Sequence, residues 1–149
     1  MKEKRELTKM RDAELLRDYR AKLEETMRSG KPINRREIVI EVLESGRPRY
    51  YLKFEQAYNV VTRMHSRGVT GRRLTLKQQM WQEIYDKMQQ EMASNAGMVM
   101  HEALARVLYS GRASRYFISP GYAYRYIYGV QREAYKKFCG KTSVRRLCR

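Results

Sequence analysis

The chain has 149 residues, enough for one domain or two small lobes, and 42% apolar content supplies an ordinary core, so disorder of the whole chain is excluded. Thirty-two Lys and Arg against sixteen Asp and Glu leave a net charge of +16, which a polyanionic partner would relieve: nucleic acid first, an anionic membrane surface second. No stretch approaches the roughly 18 uninterrupted apolar residues of a membrane span, and Met1–Arg11 is charged with no apolar region behind it, so a soluble, cytoplasmic, unexported protein is expected.

In chain order, residues 1–11 read as a charged N-terminal segment. A first helical unit follows over 12–64. Tyr19, Leu23 and Met27 recur every four residues along one face of a long helix, and Gly30 suits its end. Asn34 and Glu37 have capping-box spacing before the apolar run Ile38, Val39, Val42 and Leu43. Ser45-Gly46-Arg47 then closes that second helix, with glycine expected in the left-handed conformation. Tyr50, Tyr51 and Leu52 favour an extended backbone, and a third helix carries Ala57, Tyr58 and Val61.

A basic linker, 65–76, holds Arg67, Arg72 and Arg73 with Gly68 and Gly71. The second unit, 77–129, opens on a Thr75-Gln78 capping box ahead of Met80, Ile84, Met88 and Met92. It repeats the glycine turn at Ser110-Gly111-Arg112 and the extended piece at Tyr116, Phe117 and Ile118. Its third helix starts at Ser119-Pro120, a strong pairing of capping hydroxyl and first-turn proline. Residues 130–149 form a basic helix and tail.

The two units are copies. EIVIEVLESGRPRYYLKFEQAYNVV, Glu37–Val61, aligns with EALARVLYSGRASRYFISPGYAYRYI, Glu102–Ile127, with one residue inserted after Arg112. Ser45, Gly46 and Arg47 meet Ser110, Gly111 and Arg112; Arg49 and Tyr50 meet Arg115 and Tyr116; Ala57 and Tyr58 meet Ala123 and Tyr124. The offset is 65 residues before the insertion and 66 after it, and upstream Tyr19, Leu23 and Met27 fall against Ile84, Met88 and Met92. The fold expected is mainly α: two tandem units of about three helices, with the two extended pieces placed to pair as a short ribbon that would need helix packing to persist.

Charge is concentrated in two segments. Gln56 to Gln82 contains no acid, while Arg63, Arg67, Arg72, Arg73 and Lys77 lie within it. From Ala103 onward eleven cations, Arg106, Arg112, Arg115, Arg125, Arg132, Lys136, Lys137, Lys141, Arg145, Arg146 and Arg149, face Glu133 alone. Single basic residues usually mark solvated surface, but this imbalance predicts a phosphate-binding face. Nine aromatics are interleaved with these cations. Tyr50, Tyr58, Tyr116 and Tyr124 recur at matched positions and are read as core. Tyr122, Tyr126 and Tyr128 belong to the second copy alone and are candidates to stack on bases or donate to phosphate. Arg47, Arg49, Arg112 and Arg115, beside the turns, are candidate phosphate contacts, and the third helix with Arg125 invites comparison with a recognition helix.

Catalysis finds little footing: there is no glycine-rich phosphate loop, no nucleophile elbow and no magnesium-type carboxylate cluster. Glu37 and Glu102 match between copies, but Glu37 already has a capping role. No metal or cofactor is expected. His65 and His101 read as helix-surface histidines, and Cys139 and Cys148 lack zinc spacing and read as reduced thiols, with pairing to each other as the lesser alternative.

The signature GRxxRYFISPxxAY, Gly111 to Tyr124 with an echo at Gly46 to Tyr58, resembles that of small basic uncharacterised proteins of bacterial mobile elements and phages. The resemblance covers those two segments and implies a nucleic-acid setting, with no role for individual residues. In the first copy Lys53 and Phe54 replace Ser-Pro. The leading expectation is a non-enzymatic DNA-binding or packaging accessory protein, with DNA favoured over RNA. A protein that docks on an acidic protein or ribonucleoprotein, as an inhibitor or a virion component, is the alternative. Membrane-surface association ranks third, because Val130–Cys139 is short and poor in apolar anchors. Internal duplication is compatible with a further oligomer.

Overall fold

Local signals place most of the helices. A computed structural model describes residues 2–67 and 74–141, with side chains from residue 5 to 67 and 74 to 140, and shows α1 Lys2–Arg28, α2 Arg35–Ser45, α3 Phe54–Arg67, α4 Leu76–Ser94, α5 Met100–Tyr109 and α6 Pro120–Lys141. The chain is therefore mainly α, and no strand occurs among the described residues. No described helix is long and apolar enough to cross a membrane.

α1 runs unbroken through the expected boundary at residue 11 and ends at Gly30, whose φ of 70° is one a side chain would strain. The Thr75-Gln78 box closes in both directions, at 3.3 and 2.9 Å. Ser119 Oγ accepts from the Tyr122 amide at 3.3 Å, with Pro120 behind it at the first helical position. Asn34 instead caps the Arg36 amide at 3.1 Å, one position short of the reciprocal box expected with Glu37.

The helices do not pack as they follow one another. α3 rests on α4 and α5, while α6 rests on α1 and α2. One core joins Ala57 and Val61 of α3 to Trp81, Ile84 and Met88 of α4 and Leu104, Val107 and Leu108 of α5. The other joins Leu15 and Tyr19 of α1 and Val39, Val42 and Leu43 of α2 to Ala123 and Ile127 of α6. Each sequence copy thus contributes its third helix to the other copy's helix pair, an exchange of the kind seen between protomers in domain swapping but made within one chain.

The connections explain the exchange. Eight residues, Gly46 to Lys53, separate α2 from α3; at about 3.3 Å per residue their reach is at most about 25 Å, enough to carry the chain from its own unit to the other. Pro48 biases Arg47 toward extended backbone, as Pro120 biases Ser119 at the end of the second connection. The two segments cross with one mutual backbone hydrogen bond, Ala113 N to Pro48 O at 2.8 Å. The expected ribbon does not form, because the neighbouring amides have other acceptors: Tyr116 N donates to Leu43 O and Leu52 N to Tyr50 O, both at 2.9 Å.

The turn glycines are also used differently from the expectation. Gly46 is extended, with φ −63° and ψ 143°, and Gly111 is not among the residues of positive φ. Their role is close approach. A Cβ on Gly46 would lie 2.6 Å from Val42 O and 2.7 Å from the Tyr116 ring, and one on Gly111 would lie 2.5 Å from Val107 O.

Tyrosine hydroxyls fasten the crossing to α1 and α4. Tyr116, 1% exposed, donates to Asp18 at 2.5 Å, and Tyr51 donates to Glu14. On the opposite side Lys87 Nζ reaches Tyr50 Oη at 2.9 Å and Arg112 O at 2.5 Å, while the Ser114 amide donates to Glu83 at 3.0 Å. Asp18 and Glu83 occupy equivalent positions 65 residues apart, so both copies anchor a crossing tyrosine segment through an acid on the long helix.

His65 Nδ1 lies 3.2 Å from Tyr85 Oη, and His101 meets the Phe54 ring edge-on at 4.6 Å. Cys139 is disulfide-bonded rather than the reduced thiol expected, and Cys148 lies outside the described residues.

Gly46→Ala is expected to lower stability by about 1–3 kcal/mol through overpacking, whereas Gly129→Ala, which meets nothing within 4 Å, raises it by about 0.5–1 kcal/mol through helix propensity; denaturant melts of the two variants check both signs. Burial first, then the hydrogen bonds to Glu14 and Asp18, push the Tyr51 and Tyr116 hydroxyls well above the ordinary tyrosine range. The folded protein keeps those protons at pH values where the unfolded chain loses them, so their contribution is complete below about pH 10 and declines above it. Denaturant midpoints measured from pH 8 to 11 should fall with pH, and Tyr51→Phe/Tyr116→Phe should start lower but fall less steeply.

Candidate nucleic-acid interface

α6 divides its residues between two tasks. Ala123 and Ile127 face inward, 0% and 2% exposed, against α1 and α2. Tyr122 and Tyr126, one turn apart, also turn toward that packing. Tyr122 Oη donates to Asp12 Oδ2 at 2.7 Å beneath the Arg11 guanidinium, 5.2 Å from the ring centre. Tyr126 packs on the same core, and burial is the leading cause that raises both hydroxyl pKa values. These two expected base-stacking residues are therefore committed to holding α6 on α1.

Tyr128 behaves otherwise. It is 43% exposed and stacks on Tyr124 with ring centres 5.8 Å apart and planes 16° off parallel. Arg36, from α2, lies over the Tyr124 ring at 5.6 Å, within the range of a cation–π contact. Burial pushes the Tyr124 hydroxyl up, and the Arg36 charge opposes that shift. Around this pair runs an open groove lined by Arg36, Gly121, Tyr124, Arg125, Tyr128, Gly129 and Arg132, with no carboxylate in the lining. Gly121 and Gly129 leave its wall low, since a Cβ at either would meet nothing within 4 Å.

Beyond the groove the same helical faces continue. At 3.6 residues per turn, Tyr124, Tyr128, Tyr135 and Phe138 share one stripe, and Arg125, Arg132 and Lys136 form the adjacent one. Tyr135 and Phe138 are exposed. Lys136 has an exposed ion pair with Glu133 at 3.7 Å, a weak competitor for a phosphate. Lys137 falls on the far side of the helix from the aromatic stripe.

The remaining predicted residues are dispersed. Arg49 and Arg115 meet at the crossing, lining a second cavity that shares no residue with the groove. Arg47 and Arg112 are exposed beside the turns, and Arg67 is exposed at the end of α3. Arg72, Arg73, Arg145 and Arg146 lie outside the described residues, as does the side chain of Lys141.

Sequence reasoning missed Arg36; Tyr124, assigned to the core, is half-buried against it and lines the groove as well. The spacing of Tyr124 and Tyr128, one helical turn apart, is a legible signal for a shared face. Arg36 has none, because it reaches the groove only through the packing of α2 on α6.

Guanidinium groups stay charged at any working pH and bind phosphate oxygens two at a time, and stacked phenol rings offer a flat surface to a base. The groove therefore has the chemistry to hold a phosphate beside an aromatic ring. Comparison with protein-family models, with curated proteins and with solved structures returns no match for this chain.

Proposed function

We propose that the protein is a non-enzymatic nucleic-acid-binding accessory protein that docks the outer face of α6 on a phosphate backbone. The observation that carries the reading is the α2–α6 groove, where three arginines flank a stacked tyrosine pair with no carboxylate in the lining. Arg36, Arg125 and Arg132 would contact phosphates, while Tyr128 stacks on a base or donates its hydroxyl. DNA is favoured over RNA because the B-form major groove admits a helix, whereas the A-form major groove is too narrow for one. The likeness of the Gly111–Tyr124 signature to proteins of mobile elements and phages supports the same setting.

A second reading is supported by the exposure of Tyr135 and Phe138, at 56% and 61%. Aromatics of this kind anchor protein interfaces, and a protein or ribonucleoprotein partner would cover them.

Mobility-shift titrations against duplex DNA, single strands and RNA at two salt concentrations separate the readings. The first predicts duplex affinity that falls steeply with salt. Arg36→Ala/Arg125→Ala/Arg132→Ala should weaken binding and reduce the log–log salt slope by about 2–3, since each phosphate no longer neutralised removes about 0.9 from it. An unchanged slope and affinity in that variant would overturn the assignment of the groove.

A further inference from the structure

We infer that the cavity at the crossing binds a nucleotide through its ring and its 5′ phosphates, either as a free nucleoside diphosphate or as the phosphorylated end of a strand. This inference does not rest on the α6 groove. The cavity, about 260 Å³, receives Arg11 from α1, Arg49 and Lys53 from the first crossing segment, Lys77 from α4 and Arg115 from the second crossing segment, and its lining contains no acid. Five cations from four parts of the chain converge on one small volume. Arg11 is tied to Asp12 at 3.0 Å and contributes least. Arg49, Lys77 and Arg115 take part in no ion pair among the described residues.

The differences between the copies point the same way. Arg49 and Arg115 are equivalent, but Lys53 stands where the second copy has Ser119, and Lys77 stands where the first copy has Asp12. Both departures add a cation to this cavity. Neither helix capping nor core packing calls for a lysine at residue 77, and like charges gathered about one cavity, as Arg49, Lys77 and Arg115 are, favour an anion between them.

The apolar part of the lining sets the ligand's body. Leu52, Met80, Phe117 and Ile118 face the same space. Inorganic phosphate would leave them uncovered, and a fatty acid would bring a single charge to several cations. The volume lies just below the roughly 300–1,000 Å³ typical of ligand pockets, which limits the occupant to something no larger than one nucleotide and excludes a duplex.

Isothermal titration of the full chain with ADP, pyrophosphate, and a thymidine trinucleotide with or without a 5′ phosphate tests the inference. Saturable one-to-one binding of ADP or of the 5′-phosphorylated trinucleotide is expected, and whichever of the two binds more tightly identifies the source. Arg49→Ala/Arg115→Ala should weaken that binding by about tenfold or more while leaving duplex binding by the α6 groove intact. Lys77→Ala, a single exposed change, should weaken it to a lesser degree. Arg36→Ala/Arg125→Ala/Arg132→Ala should leave it unchanged, so failure here and failure of the α6 reading are distinguishable. No saturable binding of either nucleotide probe, equal affinity for pyrophosphate and ADP, or full affinity in both cavity variants would overturn the inference.

Discussion

Gly46 lies against the ring of Tyr116, and around that contact the two extended segments pass each other on the way to exchanged helices. A side chain at residue 46 would push on a ring that is itself buried and bonded to Asp18. The crossing therefore has little room to adjust, and both cores depend on it: α3 completes one and α6 the other. Neither pair of helices left behind, α1 with α2 or α4 with α5, covers its apolar face without the third helix supplied by the other copy. Cooperativity between the halves follows from the connectivity, because removing either third helix exposes a core made by the opposite copy.

The crossing also governs where charge is left over. Three acids of α1 are directed at tyrosines: Asp12 accepts from Tyr122, Glu14 from Tyr51 and Asp18 from Tyr116. On α4, Glu83 serves the Ser114 amide. Carboxylates used as acceptors for the crossing and for α6 are held away from the arginines of the groove. A chain with half as many acids as bases thereby keeps part of its cationic surplus on accessible surfaces, where a polyanion can neutralise it.

α6 shows how one helix serves both needs. Ala123 and Ile127, its most buried residues, are small or aliphatic and seat the helix in the core it shares with α2, and that packing brings Arg36 over Tyr124. The outer stripe is then aromatic beside cationic, a pattern suited to a polymer that alternates flat bases with phosphates. The cavity at the crossing has the same two ingredients at a smaller scale, apolar side chains and cations sharing one lining.

Much of this was legible in the linear chain. Helix starts at Thr75 and Ser119, the end of the first helix at Gly30, and the duplicated unit all follow from local chemistry, since capping groups and helical periodicity act within a few residues. The concentration of cations was equally plain, because it needs nothing but counting. Partner choice was not. A copy's third helix has the same apolar face whether it folds back on its own unit or crosses to the other, so composition and spacing cannot distinguish the two. The choice was made where the two connections cross, joined by Ala113 N to Pro48 O, and by glycines kept for contact with Tyr116 and Val107 O rather than for left-handed backbone. That same exchange drew Tyr122 and Tyr126 onto α1, brought Arg36 to the groove and gathered Arg49, Lys53, Lys77 and Arg115 about one cavity. Those juxtapositions join residues tens of positions apart, and packing alone could decide them.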